Sequence, residues 1–101
     1  MQMNEFGLPG HVFREIKRVL HSFPQIECAK VFGSRAKGTH KRYSDIDIAI
    51  YAAPNDTLAQ TVREALDDLD TIYTFDVLHY EQTENLEIKA HIDSVGVEIA
   101  E

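Results

Sequence analysis

A single cysteine, Cys28, is all the thiol this chain carries. It rules out an internal disulfide, and with no second cysteine beside it a thiolate zinc site cannot form, so Cys28 reads as a packed side chain and not as a nucleophile. Hydrophobic runs are short as well. Nothing approaches the roughly 20 apolar residues that cross a bilayer, and the opening "MQMNEFGLPG" has neither the basic start nor the apolar centre of a signal peptide. A cytoplasmic location without membrane contact is the expectation. Repeats, low-complexity tracts and linker-like stretches are missing too. The 101 residues therefore read as one domain over 1–101, with a single core and no room for a second lobe, so a large substrate would be held partly by another molecule. The histidines, at 11, 21, 40, 79 and 91, lack metal-ligand spacing. Only His40, inside a basic loop, is kept as a candidate; the others read as solvated or structural.

What is present is an uneven charge distribution. Residues 1–43 hold eight Lys/Arg against three Asp/Glu, a net +5, while residues 44–101 hold two against fourteen, a net −12. The overall −7 argues against general nucleic-acid binding, which needs a basic face to neutralise phosphates. The basic face here is local: from Lys30 to Ser44 there is no acid at all. Such a loop suits a small anion better than a duplex, and standing alone it would equally suit solvent.

Periodicity supplies the frame. Residues 11–22 place Val12, Phe13, Ile16, Val19 and Leu20 on one helical stripe that stops near Pro24. "ECAKVFG" and "DIDIAIY" read as strands, followed by a helix from about Thr57 to Asp70 with Leu58, Val62, Ala65, Leu66 and Leu69 on one face and Asp56 or Thr57 as its cap. "YTFDVLHY" is a third strand. A last helix carries Leu86, Ile88, Ile92 and Val95, capped by Thr83 and closed by a left-handed Gly96, and "VEIA" is a short final strand. The fold class is α/β (α+β): a small mixed sheet of three to four strands with helices packed mainly on one face.

Three aspartates disturb this frame. Asp45 and Asp47 stand two residues apart, so on a strand they project from one face while Ile46, Ile48 and Ile50 project from the other. Aspartate is a poor strand former and like charges repel, so the pair is either an exposed solubilising end or a cation site, for which Mg²⁺ is the natural hard-oxygen partner. Asp76 lies between Phe75 and Val77 with no basic neighbour apart from His79, which alternation sends to the opposite face. If the two strands are neighbours, Asp45, Asp47 and Asp76 share one sheet edge. Such a cage holds two metal ions roughly 4 Å apart, the arrangement of an in-line phosphoryl or nucleotidyl transfer.

Gly33 and Ser34 follow the first strand, and "SRAKG" can form a short turn whose amides and the Ser34 hydroxyl face an anion. Gly33 and Gly38 have the glycine spacing of a P-loop, but Thr39 and His40 replace its Lys and Ser/Thr, which excludes that motif.

Gly33-Ser34, ten intervening residues, Asp45-Ile46-Asp47 and a later Asp76 together resemble the signature of the DNA polymerase beta-like nucleotidyltransferase superfamily. "GSRAKG" with "YSDIDIAI" is similar to the minimal nucleotidyltransferase (MNT) domain proteins. The resemblance is strong over Val31–Tyr51 and elsewhere lies in element order. It implies that Gly33 and Ser34 contact a nucleoside triphosphate, that Asp45 and Asp47 bind two Mg²⁺ ions, and that Asp76 binds the one that activates the acceptor. Arg35 and Lys37 match basic positions of the turn, either touching phosphate or bracing the loop, and Arg35 could instead pair with an acid of the sheet. Tyr43 and Ser44 match the segment before the first aspartate, where Ser44 could orient that carboxylate. His40, Lys41 and Arg42 have weaker claims and read as a solvated loop.

The resemblance also implies a biological setting. Minimal proteins of this kind pair with a HEPN-domain toxin and silence it as antitoxin by moving AMP from ATP onto it, so ATP and a HEPN-domain protein are the expected partners, in a homo- or hetero-oligomer. The acidic second half would suit a basic partner surface. The rival expectation is a nucleotide-binding antitoxin or regulatory subunit that acts by occlusion without catalysis; modification of a small molecule is a third.

Overall fold

A computed structural model describes residues 4–42 and 44–99. The described residues form four helices and a four-stranded sheet: α1 (Gly10–His21), β1 (Cys28–Phe32), α2 (Gly33–Lys37), β2 (Ile46–Tyr51), α3 (Leu58–Asp67), β3 (Phe75–His79), α4 (Leu86–Val95) and β4 (Val97–Glu98). A short 3₁₀ turn, Tyr80–Gln82, links β3 to α4. The expected mixed α/β architecture is what forms, final strand included.

The strand order is β3-β2-β1-β4. β1 runs antiparallel to both β2 and β4, whereas β2 and β3 are parallel. Parallel neighbours need a crossover, and α3 supplies it. One face of β2 carries Ile46, Ile48 and Ile50, all fully buried, and meets the α1 stripe of Val12, Ile16, Val19 and Leu20 and the α3 stripe of Leu58, Val62 and Leu66. These β-branched side chains suit a pleated, covered surface. Phe13, expected in the α1 stripe, sits at its margin against Phe6, ring centroids 5.6 Å apart.

The second face of the sheet takes α4. Ile92 of α4 is fully buried, His91 meets the Phe32 ring edge-on at 6.1 Å, and Asp93 accepts the Tyr80 hydroxyl at 2.8 Å while Tyr80 stacks on Tyr51. Burial, and then the neighbouring Tyr80, push the Tyr51 phenol up to about 12.

Four helix ends or caps differ from expectation. α3 ends at Asp67 instead of Asp70. Asp67, Asp68 and Asp70 crowd its C-terminus, where negative charge opposes the helix dipole. At its start neither Asp56 nor Thr57 makes a side-chain cap; the Asn55 side chain accepts the Thr57 amide instead. At α4 the cap is Asn85 and not Thr83, its Oδ1 accepting the amides of Glu87 and Ile88 at 3.0 and 3.1 Å. Gly96 is extended (φ −60°, ψ 136°), not left-handed, because the chain passes directly into β4 to pair Val97 with Val31.

Candidate active site

Register brings the acidic residues to one side of the sheet. Asp47 pairs with Phe32 of β1 on one side and with Asp76 of β3 on the other. In-register residues on parallel strands share a face, so Asp47 and Asp76 stand side by side, and Asp45, two residues earlier, completes the set at the entry to β2. Asp45 and Asp76 are exposed and Asp47 is half-buried. Asp45 is held by the Thr74 hydroxyl, which donates to its Oδ1. Burial pushes the Asp47 carboxyl above its ordinary value, and the charges of Asp76 and Asp45 push it further the same way. Desolvation and the two neighbouring charges thus act on Asp47 in the same sense.

The turn after β1 lies against the same carboxylate. Gly33 adopts φ +73°, a left-handed conformation that side chains rarely accept, and a Cβ there would run into Asp47 Oδ2. Both constraints demand glycine. The Gly33 amide donates to His91 Nε2 at 3.1 Å. It is therefore not the open anion donor the sequence suggested; Ser34, half-buried, is the next residue of the turn, and its first-turn amide has no intrahelical carbonyl to meet. α2 closes at Gly38, left-handed at φ +78°.

Arg35, expected to touch phosphate, to brace the loop or to pair with an acid, braces the loop. It is 1% exposed, and its guanidinium donates to the carbonyls of Phe6 (2.8 Å), Ser44 (3.0 and 3.2 Å), Gly7 (3.4 Å) and Arg42 (3.4 Å) while lying 5.1 Å from the centre of the Tyr73 ring. No acid of the sheet pairs with it among the described residues. A planar five-donor fork suits this multi-carbonyl role, and burial draws its pKa down. Arg35 thus ties the N-terminal segment, the α2–β2 loop and the approach to β3 into one unit, which sets where Asp45 enters β2.

Ser44 also turns out to be loop structure: its hydroxyl accepts the Lys41 amide at 2.8 Å and its carbonyl serves Arg35, so orientation of Asp45 falls to Thr74. Lys37 is exposed at the end of α2 and makes no ion pair among the described residues. His40 is not solvated, since its ring packs over Gly7 closely enough that a Cβ there would collide with it. Tyr43 lies outside the described residues. Cys28 is half-buried, its thiol pushed up first by burial and then by Glu98, as befits a packed and unreactive side chain.

Two residues at the site escaped the sequence reading. Thr74 precedes β3 with no periodic signal. His91 had one: Ile88, His91, Ile92 and Val95 follow the i, i+3, i+4, i+7 spacing, so His91 occupies a position in the apolar stripe of α4. A shallow recess lined by Phe32, Asp76, Leu78, Thr83 and Ile88 opens beside the carboxylates.

The sequence profile described as "Polymerase beta, Nucleotidyltransferase" matches residues 14–101. The chain belongs to the polymerase beta nucleotidyltransferase family. Over 70 residues it is 36% identical to the "Probable protein adenylyltransferase MntA" of Haemophilus influenzae, an alignment covering 67% of this chain and 61% of that protein. The chain thus spans about three fifths of the length of that curated relative. Among solved structures it resembles a toxin–antitoxin crystallised with AMP-PNP, with 27% identity, a TM-score of 0.63 and coverage of 85% of this chain and 70% of that one. It also shares the fold of the complex of a tri-AMPylated Shewanella oneidensis HEPN toxin with its MNT antitoxin, at 22% identity, TM-score 0.57 and coverage of 87% and 68%.

Nucleotidyltransferases of this family typically use a divalent metal. As they stand, no three His, Cys, Asp or Glu side chains among the described residues close into a metal-ligand cluster. The donor set nevertheless fits a hard cation: three carboxylates on one sheet face, with the carboxyl of the middle one driven upward by burial and by its neighbours' charge. No helix is long and apolar enough to cross a membrane among the described residues.

Proposed function

We propose that this chain transfers AMP from ATP to a hydroxyl of a partner protein, a HEPN-domain toxin, and so acts as its antitoxin. The observation that carries this reading is the register that sets Asp47 beside Asp76, with Asp45 on the same face and the Gly33-Ser34 turn packed on Asp47. The likeness to MntA and to the AMP-PNP complex supports the choice of ATP and of a protein acceptor.

In the proposed reaction the acceptor oxygen forms a bond to the α-phosphorus, the bond from that phosphorus to the β-phosphate bridge breaks, and pyrophosphate leaves. The acceptor proton passes to the exposed Asp76. Asp45, Asp47 and Asp76 would hold two Mg²⁺ ions with the nucleotide, and these supply charge neutralisation at the phosphates and activation of the acceptor. The turn at Ser34 and the cation of Lys37 face the triphosphate from the other side, while Gly33 allows the turn to approach Asp47. Thr74 fixes the Asp45 carboxylate, and Arg35 fixes the loop that delivers it. The acidic residues 44–101 offer a docking potential for a basic partner.

The test is to incubate the chain with labelled ATP, Mg²⁺ and the HEPN partner and to weigh the partner. A mass gain of one or more AMP is expected, and D45N/D47N should remove it. A partner that is silenced equally well by D45N/D47N, without mass gain, would show that binding alone does the work.

A further inference from the structure

We propose that His91 is a positioning residue of the nucleotidyl-transfer site, holding the Gly33 turn in the conformation that seats it against Asp47; this rests on the function proposed above. Gly33 is the joint between β1 and α2, and the peptide plane that precedes it decides which way α2 and Ser34 face. Glycine at φ +73° leaves that plane free to rotate, because no Cβ restricts it. Contact with Asp47 limits the turn sterically from one side, and no hydrogen bond from the turn to that carboxylate accompanies it among the described residues.

The restraint comes from 58 residues away. His91 Nε2 accepts the Gly33 amide at 3.1 Å, and the imidazole is itself fixed by the edge of Phe32, the residue before the joint. The adjacent Ile92, fully buried, anchors α4. An accepting Nε2 places the ring proton on Nδ1, so the neutral imidazole is the form that does this. One side chain thereby holds both residues that flank the rotating peptide. His91 and Asp47 both lie against Gly33, so the ring and the carboxylate meet the same joint from two sides.

The consequence is for the alignment of the phosphate-facing turn against the carboxylates, a transition-state matter more than one of nucleotide affinity. In His91→Leu, which keeps apolar bulk but has no acceptor, the Gly33 amide should exchange with solvent at least about tenfold faster, and transfer per nucleotide-binding site should fall about tenfold in kcat while KM for ATP stays within about twofold. His91→Gln, whose side-chain oxygen can accept the same amide, should restore both readings to within about threefold. Tm of the two variants should agree, which separates positioning from mere loss of packing.

The inference is overturned if Gly33 exchange is unchanged in His91→Leu, or if His91→Leu transfers at the wild-type rate, or if His91→Gln is as impaired as His91→Leu. A wild-type chain that transfers nothing, with Gly33 exchange responding as expected, overturns the proposed reaction and supports the His91 restraint on the turn. The two failures are thus told apart by the exchange measurement, which needs neither ATP nor partner.

Discussion

Replacing Asp47 by Asn should make the protein more stable and the site inactive, and the size of the gain follows from the sheet. Asp47 and Asp76 are register partners on parallel strands, which puts their side chains about 5 Å apart. Two unit charges at that separation repel by about 0.8 kcal/mol in bulk water and by about 1.7 kcal/mol at an effective dielectric near 40. Asp76 is exposed and Asp47 half-buried, so the lower part of that range applies, and desolvation of Asp47 adds in the same direction. Asparagine keeps the shape that fits over Gly33 and removes the charge. A stabilisation of about 1 kcal/mol results, equivalent to a rise in Tm of about 4–8 °C for a chain of this size.

The sign of the pH dependence is fixed by linkage. The folded-state pKa of Asp47 lies above its ordinary value of 3.8, so the native state binds this proton more tightly than the unfolded state. The wild type therefore loses stability as pH rises from 3.8 through the raised folded-state pKa. The advantage of D47N should be full at pH 7, shrink on acidification and vanish below the ordinary aspartate pKa. Salt should reduce it by screening, and Mg²⁺ with ATP should raise Tm of the wild type but not of the variant. Thermal melts across pH, at low salt, measure all of this. A D47N protein that melts at or below the wild type at pH 7, or whose advantage persists unchanged at pH 3, would refute the reasoning.

Other perturbations probe the scaffold. G33A combines a forced left-handed φ with a Cβ driven into Asp47, so a loss of about 1–3 kcal/mol together with loss of transfer is expected in chemical denaturation and activity assays. R35M leaves buried carbonyls of Phe6 and Ser44 without a donor, and about 3 kcal/mol or more should go; R35K, a point charge in place of a fork, should recover only part of it in urea titration. N85A removes the α4 cap at a cost of about 1 kcal/mol, while T83A should be near neutral. Cys28 should react slowly with a thiol reagent at pH 7 and accelerate only above the usual thiol range, since burial and Glu98 keep it protonated.

Much of the fold is legible from sequence where periodicity and packing point the same way. The stripes of α1 and α3 and the alternation of Ile46, Ile48 and Ile50 name their own buried faces, because only those spacings place apolar atoms together. Caps are less legible: Asn55, Thr57, Thr83 and Asn85 all have acceptors, and at α4 the choice between Thr83 and Asn85 depends on where the 3₁₀ turn after β3 ends, a matter of tertiary fit. The acidic set sits between these cases. That Asp45 and Asp47 share a face follows from strand period alone, whereas their meeting with Asp76 requires β2 and β3 to be neighbours in one exact register, since a slip by one residue would send Asp76 to the core.

The residues of the basic loop show why charge by itself misleads. Arg35, His40 and Ser44 share with Lys37 a polar character and a place near the aspartates in sequence, yet the first three are consumed in building the loop: Arg35 by carbonyls, His40 by packing on Gly7, Ser44 by the Lys41 amide and the Arg35 fork. A loop that must hold a carboxylate pair in place against mutual repulsion needs internal donors and acceptors of its own, and only what is left over can face a ligand. The residue that joins the turn to the acidic face, His91, was passed over as solvated or structural for want of metal-ligand spacing, when its position beside Ile88, Ile92 and Val95 on α4 is what carries its ring to Gly33. Function here is distributed by which polar groups the fold leaves unspent, and that is decided by long-range register and not by local composition.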